Sequence, residues 1–300
     1  MSRMDRVPTL AGLEITLSCG TIDYVDTGGD GPVVLLLHGM LMDASLWDGV
    51  IEALGPQHRC VAPTLPLGAH QRPVAPGTDL SPWGIAGLVA ELMERLDLRE
   101  VTLVGNDTGG ALAQLLIGGA AVDPSAHARI ARVVLASCEA FDNWPPGLTG
   151  RTLELMGRLP GPLLGVFLQQ LRLRPVRRLP IAFGWLTRYG DSATARWIRP
   201  LLTSPRIRED TRRMLRLAFA DHDLLLDNAD RLSTFDRPAL VAWARGDRVM
   251  PTEHGRRLAD LLPQGRLVQV DDSDTLLPLD QPAALAGLLA DFARSGAGTR

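Results

Sequence analysis

Apolar positions along the chain follow two rhythms. Short unbroken apolar runs alternate with longer stretches in which apolar side chains recur every three or four residues. Val33–Leu37 is a continuous apolar run closed by His38-Gly39, the pattern of a strand buried on both faces. Arg59–Pro63, Val101–Gly105, Val133–Ser137, Ala239–Ala244 and Arg266–Val270 read the same way, and Leu13–Ser18 and Thr21–Val25 read as two short strands meeting at Gly20. Helical spacing predicts helices over Ser45–Leu54, Thr108–Gly119, Glu253–Leu262 and Pro282–Ala293. A further helix is predicted from a Ser81 cap, with Pro82 in its first turn, to about Leu96. Thr27–Pro32 reads as a turn and the proline-rich segment 63–79 as a long loop.

The alternation breaks from about Phe141 to Arg216. Helical periodicity continues there, punctuated by Pro145-Pro146, Gly161-Pro162 and Pro180, with no convincing strand. The layout therefore predicts an α/β fold with a mostly parallel central sheet and helices on both faces. Residues 1–140 and 217–300 are expected to form this core, and 141–216 an inserted helical cap. Ligands of such sheets bind beyond the carboxyl ends of the strands.

Composition adds limits. Hydrophobic residues make up 46% and charged residues 22% of the 300, as in an ordinary globular protein. A net charge of −3 gives no reason to expect nucleic acid as a partner. Cys19, Cys60 and Cys138 are too few and scattered for a disulfide framework or a metal site, so no metal or cofactor is expected. The opening residues carry no apolar leader core and the apolar stretches are short, so a cytoplasmic protein is expected. The chain contains no lysine, which excludes lysine Schiff-base chemistry. Charge is uneven: residues 151–216 hold fourteen arginines against Glu154, Asp191, Glu209 and Asp210. That region suits a solvated lid, or arginines that select an anionic substrate. Leu163, Leu164, Val166, Phe167 and Leu168, beside Arg172–Arg178, suit an interfacial helix and equally a lid helix packing its apolar face over a pocket; membrane association is not expected.

The chemistry centres on Gly105-Asn106-Asp107-Thr108-Gly109-Gly110, between a strand and a helix. A G-x-nucleophile-x-G turn raises its central side chain above the sheet, and the helix N-terminus behind it favours a carboxylate. A glycine-rich turn with an N-cap aspartate would have the same sequence. The surroundings favour the elbow: His38-Gly39 closes an earlier strand where an oxyanion loop belongs, and Asp247 closes the strand two after the elbow.

With these motifs in place, nearly the whole chain resembles the α/β-hydrolase superfamily, in the branch of haloalkane dehalogenases and epoxide hydrolases. The resemblance implies that Asp107 attacks an sp³ carbon to form an ester, which a histidine-activated water then cleaves. It implies an oxyanion hole from the Met40 and Thr108 N–H groups, and an acid, Asp247, that orients the histidine. The pattern fails at the histidine itself. In Asp274-Thr275-Leu-Leu-Pro-Leu-Asp280-Gln281-Pro282, Thr275 occupies its place, and a hydroxyl is no general base near neutral pH. His70 and His222 are the first candidates to substitute, with His254 behind them; His58 and His127 read as surface residues, and His38 as a fastener of the oxyanion loop. Glu139 or Asp142 can take the acid's part, as in some dehalogenases. Asp274 or Asp272 is a candidate to pair with Asp107 and raise its pKa.

Thr108 and Met40 stand where dehalogenases usually place a halide-binding Trp and Asn. Tyr189 is the cap tyrosine available as a proton donor to an epoxide. The expected function is hydrolysis of a small organic molecule of epoxide, halide or ester type. Two alternatives remain open: a non-hydrolytic isomerase, lyase or cyclase using Asp107 as base, and an inactive ligand-binding member.

Overall fold

In the computed structural model, which describes residues 12–119 and 123–295, the apolar runs become one eight-stranded sheet. The opening segment read for leader signals, and the end of the apolar stretch Ala111–Val122, lie outside the described residues. The strands are β1 (Leu13–Leu17), β2 (Gly20–Asp26), β3 (Val33–Leu37), β4 (Arg59–Pro63), β5 (Val101–Asn106), β6 (Ile130–Ala136), β7 (Pro238–Ala244) and β8 (Gln264–Val270). Their order is β1-β2-β4-β3-β5-β6-β7-β8. The β1/β2 and β2/β4 pairs are antiparallel and all others parallel. This is the α/β-hydrolase fold that the sequence predicts. β5 is buried along its whole length and Leu35–Leu37 of β3 are fully buried, as strands covered on both faces must be.

The helices of the body are α1 (Asp48–Leu54), α2 (Pro82–Arg95), α3 (Thr108–Ile117) and α4 (Pro124–Arg129). Ser81 caps α2 as predicted, its hydroxyl accepting from the Gly84 N–H at 3.1 Å. Between β6 and β7 the chain runs through α5 (Gly147–Arg158), α6 (Gly161–Gln169), α7 (Arg174–Arg177), α8 (Asp191–Trp197), α9 (Arg199–Thr203) and α10 (Pro205–Ala218). Then α11 (Leu224–Leu232) returns to the body, where the Asn228 side chain bonds the Gln114 carbonyl of α3. The chain closes with α12 (Thr252–Leu261), α13 (Leu277–Asp280) and α14 (Pro282–Ser295).

Short elements escaped the sequence reading. α4 and α13 are too short to repeat the helical period. β6 begins at Ile130 rather than Val133, because Val101 at the start of β5 pairs with Ile130 across an irregularity in register. The parallel strands β3, β5, β6 and β7 all end at one edge of the sheet, and the loops that follow them carry the chemistry.

Candidate active site

β5 ends at Asn106 and α3 begins at Thr108, so Asp107 alone makes the turn. Its φ of +54° and ψ of −134° are a backbone conformation rarely adopted by a residue with a Cβ. The glycines permit it. A Cβ on Gly105 would collide with the Gly109 backbone, and one on Gly109 with the Leu37 carbonyl of β3. A Cβ on Gly39 would strike the Asp107 carboxylate itself. These three positions require glycine for close approach.

Asp107 is buried, and its Oδ1 is the focus of three donors. The Thr108 N–H lies 2.8 Å away, the Met40 N–H 3.3 Å and the Thr108 hydroxyl 3.1 Å. Burial pushes the carboxyl pKa up to about 6, with these donors opposing the rise, so it is ionised at neutral pH. Met40 is held in the loop that His38 fastens. The His38 Nδ1 meets the Gly39 carbonyl at 2.8 Å, and its Nε2 accepts from the Leu65 N–H at 2.9 Å. Burial lowers the His38 pKa to about 4, leaving a neutral ring with one donor and one acceptor for these two bonds.

The second carboxyl of the site is Glu139, just past β6. It is buried, its Oε1 lies 3.0 Å from the Thr108 hydroxyl, and its Oε2 has no hydrogen-bond partner among the described residues. Burial, and then the charge of Asp107, push its pKa well above the carboxylate range. Glu139 is thus pushed toward its neutral form. The Thr108 hydroxyl sits between the two carboxyls, within donating distance of both Asp107 Oδ1 and Glu139 Oε1. The sequence reading offered Asp274 or Asp272 as the carboxylate to pair with Asp107. The structure puts Glu139 there, because β5 and β6 end in register, Asn106 beside Ala136.

Asp247 and Thr275 are brought together. The Thr275 hydroxyl donates to Asp247 Oδ1 at 2.8 Å, and the Val249 and Met250 N–H groups reach the same oxygen at 2.9 and 2.8 Å. Asp247 Oδ2 is buried with no hydrogen-bond partner among the described residues. Burial raises the Asp247 pKa to about 6 against these bonds. Asn106 links this cluster to the elbow: its side-chain amide donates to the Thr275 carbonyl at 2.8 Å and to the Ala136 carbonyl at 2.7 Å. Sequence reasoning missed Asn106, Glu139's contact and the Thr108 hydroxyl. The polar side chains within the buried elbow were the available signal.

Other candidates lie elsewhere. His70 is buried beside Asp210 of α10, 3.6 Å away, because the Asp210 carboxylate also binds the Val74 N–H and folds the 64–79 loop back. His222 is exposed and pairs with Glu154 of α5 at 3.2 Å. Asp142 is exposed and meets His254 at 3.4 Å. Asp274 is buried but turns to Arg188, 3.7 Å away, rather than to Asp107, and Asp272 is exposed and faces the same arginine. Tyr189 is 69% exposed, and its ring does not line the cavity, so the cap offers no proton from it. His58, read as a surface residue, is buried.

Above the oxyanion loop lies an apolar cavity of about 140 Å³. Met40 and Leu41 form its floor, and Leu153, Met156, Phe167 and Phe183 are among the side chains enclosing it. Asp107 itself is not in the cavity wall; Met40 stands between. A closed cavity of about 150 Å³ holds one benzene-sized molecule, so this space suits a small apolar group. Among the described residues, no three His, Cys, Asp or Glu side chains are grouped to hold a metal ion.

A model of the alpha/beta hydrolase fold family matches residues 32–282. A haloalkane dehalogenase of Mesorhizobium japonicum is 35% identical over 100 residues, about a third of each chain (33% of this one and 32% of that one). A cis-3-alkyl-4-alkyloxetan-2-one decarboxylase of Xanthomonas campestris is 26% identical, covering 90% of this chain and 91% of its own. Among solved structures, a putative ancestral haloalkane dehalogenase superposes with a TM-score of 0.72 at 22% identity, over 95% of this chain and 100% of that one. A thermophilic esterase from Thermogutta terrifontis gives 0.69 at 23% identity, over 95% and 98%.

Proposed function

The chain belongs to the α/β-hydrolase fold family, and from that premise we propose that it hydrolyses a small, largely apolar electrophile through Asp107. One observation carries this reading: Asp107 Oδ1 is fixed by the Met40 and Thr108 N–H groups, which leaves Oδ2 for attack. An Oδ2 lone pair displaces the leaving group from an sp³ carbon, and the bonding pair departs with that group. The ester so formed keeps Oδ1 as its carbonyl oxygen, already among the donors that a tetrahedral oxyanion needs. Water then attacks the ester carbon, and the alcohol leaves with Oδ2. Helices α5–α10 act as the cap that covers the cavity.

Halides, epoxides and strained cyclic esters are the substrate types to examine. The relative named a haloalkane dehalogenase supports the first of these; the one named an oxetan-2-one decarboxylase supports a strained cyclic ester as ligand, but by its name through decarboxylation rather than hydrolysis. The second reading rests on Thr275. Its hydroxyl, rather than an imidazole, meets Asp247, so no base of that kind stands over the ester. Asp107 would then serve as the base of a non-hydrolytic isomerase, lyase or cyclase, or the pocket would only hold a ligand.

Intact-protein mass spectrometry after exposure to an alkyl halide, an epoxide and an oxetan-2-one separates the readings. The hydrolase reading expects an adduct that maps to Asp107 and is absent from Asp107→Ala, or product released in step with substrate loss. Neither adduct nor turnover with any of the three would remove the nucleophile reading and leave the proton-transfer one.

A further inference from the structure

Nine of the twelve exposed large apolar side chains among the described residues fall between Leu148 and Tyr189. A folded surface carries scattered single apolar residues without special meaning; a concentrated patch marks a contact. The concentration follows from helix geometry. On α5, Thr149, Thr152, Leu153 and Met156 face the cavity, so Leu148, Arg151 and Leu155 form an outward stripe three and four residues apart. On α6, Leu164 and Leu168 are buried and Phe167 lines the cavity, while Leu163 and Val166 stand outward, 58% and 69% exposed. An apolar run that packs a single face over the pocket would hide these two; instead α6 is apolar all round. Such a helix needs an apolar environment on both sides. Leu173, 60% exposed, continues the patch between Arg172 and Arg174.

The charge around the patch is net positive. Its four acids are already engaged: Glu154 with Arg158, Asp191 with Arg174, Glu209 with Arg212, and Asp210 with Arg213. Arg151 and Arg172 are exposed and make no ion pair among the described residues. A second copy docking on this face by two-fold symmetry would set one arginine-rich surface against another. An anionic lipid surface complements both features, as it does for interfacial helices with an apolar face and basic flanks. No helix among the described residues is long and apolar enough to cross a membrane, so the contact would be superficial.

We propose that this face docks the protein on an anionic lipid surface, with Leu163, Val166 and Leu173 entering the interface and Arg151 and Arg172 lying among the headgroups. Phe167, Leu179 and Ile181 are both exposed and part of the cavity wall, so the cavity opens on the docked face. A lipid-dissolved substrate would enter it without crossing water; that step alone rests on the proposed function.

The test is co-sedimentation of the full chain with vesicles of phosphatidylcholine alone and of phosphatidylcholine with one quarter phosphatidylglycerol. Binding to the anionic vesicles is expected to exceed binding to the neutral ones by at least about tenfold, since each basic residue near such a surface is worth about fivefold. The pair Leu163→Ser with Val166→Ser is expected to cut partitioning by at least about tenfold. Because both positions are exposed, its circular dichroism and melting should match wild type. Arg151→Ser with Arg172→Ser should weaken anionic binding and leave neutral binding unchanged. The proposal falls if neither vesicle binds the protein. It also falls if the serine pair binds as well as wild type. If the protein is a dimer that the serine pair turns into a monomer, the face joins copies of the chain and the lipid assignment is wrong. Loss of Asp107 leaves vesicle binding intact under this proposal, so its failure and that of the hydrolase reading are separable.

Discussion

At the scale of single residues, the site is defined by which carboxyl holds the proton. Burial raises the Asp107 pKa to about 6, so alkylation of Asp107 is expected to rise with pH through about 6 and then level off. Glu139→Gln keeps an acceptor oxygen for the Thr108 hydroxyl and replaces a carboxyl that burial pushes toward its neutral form. Its alkylation profile, followed by mass spectrometry across pH, should keep the same midpoint. Thr108→Val removes a donor from Oδ1 and should move the midpoint above 6 and slow alkylation about 10- to 100-fold. Equal profiles for wild type and Thr108→Val would show that the hydroxyl does not serve Asp107. Thr275→His addresses the missing base. Asp247 Oδ2, which has no partner among the described residues, would be available to orient an imidazole, and hydrolysis of the Asp107 ester should speed up by up to about 10²–10⁴-fold. A mutant ester that persists as long as the wild-type one would mean that the ring cannot reach it. Asp107 and Asp247 were legible because each follows a recognisable strand, and Met40 and Thr275 because the resemblance aligned them with the oxyanion loop and the histidine position. Glu139 was legible only as a stand-in acid, and its contact with Thr108 depends on strand register. The histidine candidates failed for a shared reason: nothing local in sequence reveals that His70 will meet Asp210 or His222 will meet Glu154.

At the scale of elements, the strands that build the site were readable because burial on both faces leaves an unbroken apolar run. The short turns of α4 and α13 were not, because a single turn shows no period. The elbow is the element with least freedom. Gly105 faces the Gly109 backbone across the turn, and Gly109 abuts the end of β3. Gly109→Ala has no flexible neighbour to displace, since the obstacle is the Leu37 carbonyl. A loss of at least about 2 kcal/mol is expected, in the range of backbone clashes and overpacking in a close-packed core. Denaturant titration measures it. Gly287→Ala is the control: a Cβ there meets nothing within 4 Å, and helix α14 should gain slightly, about 0.5–1 kcal/mol. Similar stabilities for the two variants would mean that the elbow backbone can shift to make room.

At the scale of the whole molecule, the site is a cost that the rest of the fold carries. Asp107 and Asp247 are both buried carboxyls whose pKa values rise from 3.8 to about 6 on folding. A group with a raised pKa binds its proton more tightly in the folded chain than in the unfolded one. Its contribution to stability is therefore highest below 3.8 and declines as pH rises toward 6, above which it stays unfavourable. A tenfold gain in proton affinity corresponds to about 1.4 kcal/mol, so ionised Asp107 costs on the order of 3 kcal/mol. Asp107→Asn keeps an acceptor oxygen for the Met40 and Thr108 N–H groups and never ionises. It should melt about 5 °C above wild type at pH 7.5, given the sensitivity of melting to free energy in chains of this size. The difference should shrink steadily between pH 6 and pH 4.5, because wild-type Asp107 regains its proton there. A melting difference that stays constant across this range would trace to packing of the amide rather than to the charge. A variant no more stable than wild type at pH 7.5 would mean that the three donors at Oδ1 already offset the burial of the carboxylate.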